Sequence, residues 1–198
     1  MQSWLIEASD IEKLSKALRP VSDEQGANAA VALLLKLRNA DLNVLFVRRV
    51  ENLADPWSGQ VALPGGKRDA ADLSLKQTVM RETLEETNID LSGGCRFWGV
   101  LTALRSKPRP GLMILPFVVL LEREPSIRLS ERELEGFVWI PLRDVIRGKG
   151  SVEFDFGEVP AYTVGRTVIW GLTYRVLEDF IRTVELIRQE ASHSRGLG

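Results

Sequence analysis

The 198 residues are enough for one large domain with its own hydrophobic core, needing neither disulfides nor a structural metal. Lys and Arg total 26 against 27 Asp and Glu, so the charge balance exerts no pull toward nucleic acid polymers or an anionic membrane and favours a small partner. A single cysteine, Cys95, excludes an internal disulfide, and together with one histidine it excludes a four-ligand zinc site of the usual kind.

The opening Met1-Gln-Ser-Trp-Leu-Ile-Glu has neither the charged stretch nor the long apolar run of a signal peptide. The most apolar run, Leu112 to Leu121, is about half a membrane span and contains Pro116, so it reads as a buried strand. A soluble, cytoplasmic protein without membrane contact is expected.

Ser9-Asp10 are placed to cap a short helix, Ile11 to Leu18 (about 9–19 with its cap), which Pro20 ends. Asp23 to Asn28 reads as a loop. Ala29 to Leu37 and Leu42 to Arg48 are apolar, partly β-branched runs around Arg38-Asn39-Ala40-Asp41, the pattern of a buried hairpin. Glu51 to Ser58 is a polar loop broken by Pro56, and Gln60 to Leu63 is a short strand stopped by Pro64-Gly65-Gly66. Leu73 to Thr87 has helical character, and Phe97 to Leu104, Leu112 to Leu121 and Phe137 to Ile140 read as strands. In the tail, apolar residues at 168, 169, 172, 176, 177, 180, 181, 184 and 187 predict one amphipathic helix over about 167–190, with Ala191 to Gly198 frayed. No repeat or low-complexity linker interrupts the chain. The fold class expected is α/β: a single domain over 1–198, with a mixed β-sheet and helices on both faces.

The chemistry concentrates after Pro64. At about 100° per residue, Glu82, Glu85 and Glu86 fall in one sector of the helix, with Leu73, Met80 and Leu84 opposite. Carboxylates at i, i+3 and i+4 repel one another, and within the segment only Arg81 offers relief. A hard divalent cation turns that repulsion into binding, and clustered oxygen ligands suit Mg²⁺ or Mn²⁺. An ordinary solvated acidic face is the alternative, but the flanks favour a site. Gly65 and Gly66 allow close approach of backbone to a metal or phosphate. Asp72 is placed to cap the helix start, and Asn88 tolerates the left-handed conformation of a C-terminal cap.

The run from Gly66 to Asn88 resembles the Nudix box, in which Gly is followed after five residues by Glu and, after seven more, by Arg-Glu-x-x-Glu-Glu-x-Gly. Gly66, Arg81, Glu82, Glu85 and Glu86 match by type and order. The chain departs at three places: Asp72 stands for the first Glu, eight residues separate it from Arg81, and Asn88 stands for the last Gly. The resemblance implies an α/β/α sandwich with the box over 66–89. It also implies metal ligation by Glu82, Glu85, Glu86 and the backbone carbonyl of Gly66, with Arg81 orienting Glu85. A later acidic residue is expected to join them, and Glu133, ahead of the strand at Phe137, is the candidate. Catalytic roles thus fall on Arg81, Glu82, Glu85 and Glu133, acting on a small diphosphate.

Gly59-Gln-Val-Ala-Leu-Pro-Gly-Gly66 and Ile169-Trp-Gly-Leu-Thr173 are similar to the coenzyme A diphosphatase branch of that family, and the likeness spans roughly residues 30 to 180. That branch carries a Thr-x-Arg start and a second Arg upstream of the glycine matching Gly59. Here Val47-Arg48-Arg49 precedes Asp55-Pro56-Trp57, so Arg49 stands for the first Arg and the second is missing. Arg48, Arg49, Arg105 and the Gly65 backbone are the expected substrate contacts, with Arg105-Ser-Lys107-Pro-Arg109 either a phosphate-binding or a solvated loop. Trp57 fits base stacking or fold packing. His193, in the tail, is poorly placed for a general base.

ADP-ribose, another nucleotide sugar or a dinucleotide are alternative substrates, and a nucleotide-binding protein without catalysis is a different class of answer. Action on messenger RNA caps lacks the basic surface that polymer binding needs. Isomerase chemistry on isopentenyl diphosphate would require a catalytic cysteine, and Cys95 has no acidic partner evident in the sequence. A homodimer through the terminal helix is a further expectation.

Overall fold

The computed structural model describes residues 8–39, 41–50 and 60–195, with side chains over 12–39, 41–50 and 60–189. Among these residues the elements run α1 (Ala8–Ala17), β1 (Ala29–Arg38), β2 (Asp41–Arg49), β3 (Val61–Ala62), β4 (Gly65–Lys67) and α2 (Leu75–Thr87). They continue with β5 (Cys95–Val100), β6 (Leu104–Arg105), β7 (Met113–Leu121), β8 (Leu134–Pro141), α3 (Leu142–Arg147), β9 (Lys149–Phe154), β10 (Gly157–Val164), β11 (Thr167–Trp170) and α4 (Gly171–Arg195).

The main sheet is mixed, because β1 lies parallel to β7 while β2, β5 and β8 run antiparallel to their neighbours. Its centre splits. β1 and β2 pair directly only between Leu35–Arg38 and Asp41–Val44. Beyond that point β1 pairs with β4 through Ala29–Val31, and β2 pairs with β3 through Val47 and Arg48. The Ala32 amide donates to the Pro64 carbonyl at 2.8 Å, fixing the corner between the two short strands in the opening. Gly65 is required there: a Cβ on it would stand 2.2 Å from the Ala30 carbonyl oxygen.

Alternation along the strands divides the core into two layers. Leu33, Leu35, Val44, Phe46, Val118 and Leu120 face α3 and α4 with Val145, Val176, Leu177 and Phe180. Ala30, Ala32, Leu34, Leu45, Phe117 and Val119 face α2 with Leu75 and Val79. The result is the α/β/α sandwich expected from the sequence.

The second sheet, β9-β10-β11, is antiparallel and was not foreseen. Its signals were present in the alternation of Val152 and Phe154 and in the two-residue turn Gly165-Arg166, where Gly165 has a φ of 58°. Correspondingly, the helix expected over 167–190 begins only at Gly171. Thr167–Trp170 is strand, and Gly171, at φ 65°, turns the chain into α4. Val168 and Ile169 fit a helical stripe and a strand equally well, which is why periodicity alone misassigned them. α4 continues to Arg195, past the expected fraying point at 191. The strand expected over 97–104 is likewise two strands. Between them Leu101 donates to the Pro116 carbonyl, Thr102 to Asp179 and Ala103 to Gln25. The expected loop Glu51–Ser58, including Trp57, and Gly59 lie outside the described residues.

No helix among the described residues is long and apolar enough to cross a membrane. The chain end of α1 docks on β5, where the Val100 amide donates to Arg19 O at 3.0 Å. A Cβ on Gly99 would meet that same oxygen at 2.5 Å and the Leu18 Cβ at 2.6 Å. Gly99→Ala is therefore expected to cost about 1–3 kcal/mol by overpacking. Gly150→Ala, with nothing within 4 Å of its Cβ, should stay within about 0.5 kcal/mol of the parent. Equal urea midpoints for the two variants would contradict this docking.

Candidate active site

Ser74, in extended conformation, caps α2 by accepting from the Gln77 amide at 3.3 Å, while Gln77 Oε1 accepts from the Leu73 amide at 2.7 Å. This corrects the placement of the cap at Asp72, although the Ser-x-x-Gln spacing was legible in the sequence. The helix ends at Asn88, whose left-handed backbone (φ 61°) directs its amide to Leu84 O at 2.8 Å.

The apolar face of α2 also differs from expectation. Leu73 and Leu84 are exposed, and the buried residues are Leu75, Thr78, Val79, Thr83, Glu86 and Thr87. Glu86 lies on the inward face because the glycine turn covers it. Its Oε2 accepts from the Gly65 amide at 2.9 Å. Burial pushes its carboxyl up to about 8; Glu82 and Glu133 add to the rise, while the Gly65 amide and Arg49 oppose it. Glu82 is half-buried and also raised, mainly by desolvation, with Arg81 working in the other direction. Glu85 is exposed.

Arg81 joins the cluster to its surroundings. It donates to Asp72 through Nε (3.2 Å) and Nη2 (2.9 Å), to Glu82 at 3.0 Å, to Glu85 at 3.2 Å and to Lys67 O at 3.2 Å. Asp72 is thus a buried anchor for Arg81, a role that its position in the sequence did not disclose. The Arg81 guanidinium holds the Asp72 carboxyl down at about 2, with the Asp69 amide assisting against the opposing effect of burial.

Tertiary contacts bring Glu133 to this group. Ser130 donates its amide to Glu86 O at 2.9 Å and accepts from the Glu133 amide at 2.9 Å, while Val50 donates to Glu133 O at 3.0 Å. The loop is therefore clamped between the end of α2 and the end of β2. Glu133, Glu82, Glu86, Arg49, Gly65, Gly66 and Arg109 line one cavity of about 310 Å³, set in the split of the main sheet. Arg48 and Arg105 do not line it. Arg48 follows strand alternation away from Arg49 and stands 3.6 Å from Glu135, and Arg105 contributes its backbone carbonyl to Arg175. Arg109, at the far end of the same cationic loop, reaches the cavity instead.

Among the described residues, no three acidic, histidine or cysteine side chains converge as they would around one ion, since Glu82 and Glu85 turn toward Arg81. The donor set nevertheless fits a hard divalent cation: Glu82 and Glu86, carboxylates whose charge is disfavoured by burial, lie beside the backbone of the glycine turn. Gly66 keeps that approach open, because a Cβ there would lie 2.4 Å from the Glu82 carboxyl carbon.

A mixed sheet split over a glycine turn, backed by a capped acidic helix, defines a Nudix-type α/β/α protein. Residues 27–158 match the Nudix domain, and the chain belongs to the Nudix family of hydrolases. It is 33% identical over 174 residues to the Nudix hydrolase NudL of Yersinia enterocolitica, covering 85% of this chain and 87% of that one. It is 32% identical over 145 residues to the peroxisomal coenzyme A diphosphatase ndx-8 of Caenorhabditis elegans, covering 72% and 61%. The chain spans less than two thirds of the length of that worm protein, and a third of a fission-yeast protein to which it is 41% identical over 108 residues. In fold it superposes on a MutT/Nudix family protein of Enterococcus faecalis with a TM-score of 0.55 at 18% identity, over 91% of this chain and 70% of that one.

Asp72→Asn removes the charge from the anchor and is expected to destabilise by roughly 1.5–3 kcal/mol at neutral pH. Because the folded-state value lies below the ordinary 3.8, the contribution is fully present above that pH and is lost as the pH falls through about 2. Urea midpoints for parent and variant should converge on acidification; a gap independent of pH would show that the Asp72–Arg81 pair is not its source.

Proposed function

We propose that this chain hydrolyses the diphosphate linkage of a nucleoside-diphosphate-type small molecule with Mg²⁺ or Mn²⁺, and that coenzyme A or a derivative is the substrate. The observation that carries the reading is Glu86, a buried carboxylate bound to the Gly65 amide and close to Glu82 and Glu133. Such a cluster is unfavourable without a cation and gives a binding protein no advantage over neutral residues.

In this reading Glu82, Glu85, Glu86 and the Gly66 carbonyl hold the metal. When bound, it makes water more acidic and neutralises charge on the phosphoryl oxygens. Arg81 sets the orientation of Glu82 and Glu85 through its contacts at 3.0 and 3.2 Å. Arg49 and Arg109 line the cavity and contact the diphosphate. Glu133 accepts a proton as water oxygen bonds to phosphorus and the bridging P–O bond breaks, with the nucleotide phosphate leaving. With coenzyme A the products are 4′-phosphopantetheine and adenosine 3′,5′-bisphosphate.

Support for coenzyme A comes from the likeness to the worm diphosphatase and from the sequence runs around Gly65 and Trp170. The missing second Arg before Gly59 favours a rival set of substrates, ADP-ribose, other nucleotide sugars or dinucleotides, since losing one charge-assisted contact lowers selectivity by about one to two decades.

Glu86→Gln should keep or raise the melting temperature, because the amide still accepts from Gly65 without a buried charge, while kcat falls about a hundredfold or more. Turnover within about threefold of the parent would remove Glu86 from the metal site. Mass spectrometry of products from coenzyme A, ADP-ribose and NADH with each metal tests the substrate. A tenfold preference in kcat/KM for ADP-ribose would overturn coenzyme A, and no cleavage of any diphosphate would favour a binding protein.

A further inference from the structure

A second cavity, of about 650 Å³, adjoins the first, and Gln60 and Leu172 line both. Gly171, which turns β11 into α4, lines the second beside the shared Leu172, so a molecule whose diphosphate occupies the first needs to pass only Gln60 and Leu172 to reach the second. Its walls combine two chemistries. One is aromatic: Phe156 and Trp170 line it, with ring centroids 5.8 Å apart, and Phe154 stands behind both at 5.2 and 4.8 Å. The other is cationic, from Lys107 and Arg175.

The three rings pack on one another outside both core layers, and Phe156 and Trp170 form the cavity wall. Phe156 sits in the two-residue connection between β9 and β10 and is 66% exposed, so the cluster presents an aromatic ring to the cavity. The frame that carries it is firmly held. Tyr162 on β10 donates to Glu178 on α4, and Lys149 on β9 stands 2.9 Å from the same carboxylate. Arg175 is set by its hydrogen bond to Arg105 O at 2.9 Å, which also ties the cationic loop to α4.

We infer that this cavity is a nucleoside subsite, in which Phe156 and Trp170 stack a purine base and Lys107 with Arg175 bind a phosphate on its ribose, remote from the scissile diphosphate. The inference rests on the diphosphate reading of the first cavity. A flat π-system matches the rings and a second anion matches the two cations. A pantetheine arm or an acyl chain offers neither feature, and an unphosphorylated nucleoside satisfies only the rings.

Calorimetric binding of the free nucleotides tests this without catalysis. Adenosine 3′,5′-bisphosphate should bind the parent more tightly than adenosine 5′-monophosphate. Phe156→Ala, at an exposed position, should weaken both ligands about tenfold. Lys107→Ala, also exposed, should weaken the bisphosphate at least fivefold and leave the monophosphate within about twofold. In parallel, kcat/KM for coenzyme A should fall through KM in both variants, and only Lys107→Ala should narrow the preference over 3′-dephospho-coenzyme A. Equal binding of the bisphosphate to all three proteins, or none to the parent, overturns the subsite even if coenzyme A is cleaved. So does a loss in Phe156→Ala confined to long acyl derivatives, which would place the acyl arm there. If the bisphosphate responds to both variants but no diphosphate is cleaved, the subsite stands and the hydrolase reading falls.

Discussion

The contact between the Glu86 carboxylate and the Gly65 amide joins the two halves on which the site depends. Glu86 comes from the inward face of α2 and Gly65 from a strand pressed against β1 so closely that no Cβ fits. With the carboxyl group buried there, the helix cannot slide along the sheet without leaving the Gly65 amide and the Glu86 carboxyl without their hydrogen bond. Position and electrostatics therefore share one cause: the burial that fixes Glu86 also disfavours its charge.

Around that contact the electrostatics are arranged in opposition. Burial raises Glu82 and Glu86, and the charge of Glu133 adds to both, whereas Arg81 pairs with Glu82 and Glu85 from the outer side and is itself held by Asp72. Asp72, buried and strongly acidic, holds the guanidinium through Nε and Nη2 while Nη1 reaches Glu82 and Glu85. The opening between β1 and β2 supplies the space, since two strands that stayed paired along their length would fill the cavity with their own ladder.

The second sheet and α4 extend this arrangement away from the box. They are locked to each other through Tyr162, Lys149 and Glu178, and to the main sheet through Thr173, whose hydroxyl donates to Val61 O at 3.3 Å. Residues far apart in the chain, Gln60, Lys107, Phe156 and Arg175, thereby come to share one cavity that has Gln60 and Leu172 in common with the acidic cleft. The same scaffold that finishes the core thus shapes what can lie beside the diphosphate.

The sequence by itself determined the alternating layers of β1, β2 and β7, the helical spacing that places Glu82 and Glu85 beside Arg81, and the left-handed stop at Asn88. These follow from local periods and backbone preferences, which act over a few residues. It did not disclose that Glu86 is buried, that Asp72 anchors Arg81, or that Arg109 rather than Arg105 reaches the cavity. Nor did it separate Thr167–Trp170 from the helix that follows, because two adjacent apolar residues satisfy both periods. Those features rest on contacts between distant segments: Gly65 over Glu86, Ser130 on the end of α2, and β10 beside β11. Only closure of the tertiary structure decides which side of a helix is covered and which charged loop meets a cleft, because burial is set by what packs against a residue and not by its neighbours in the chain.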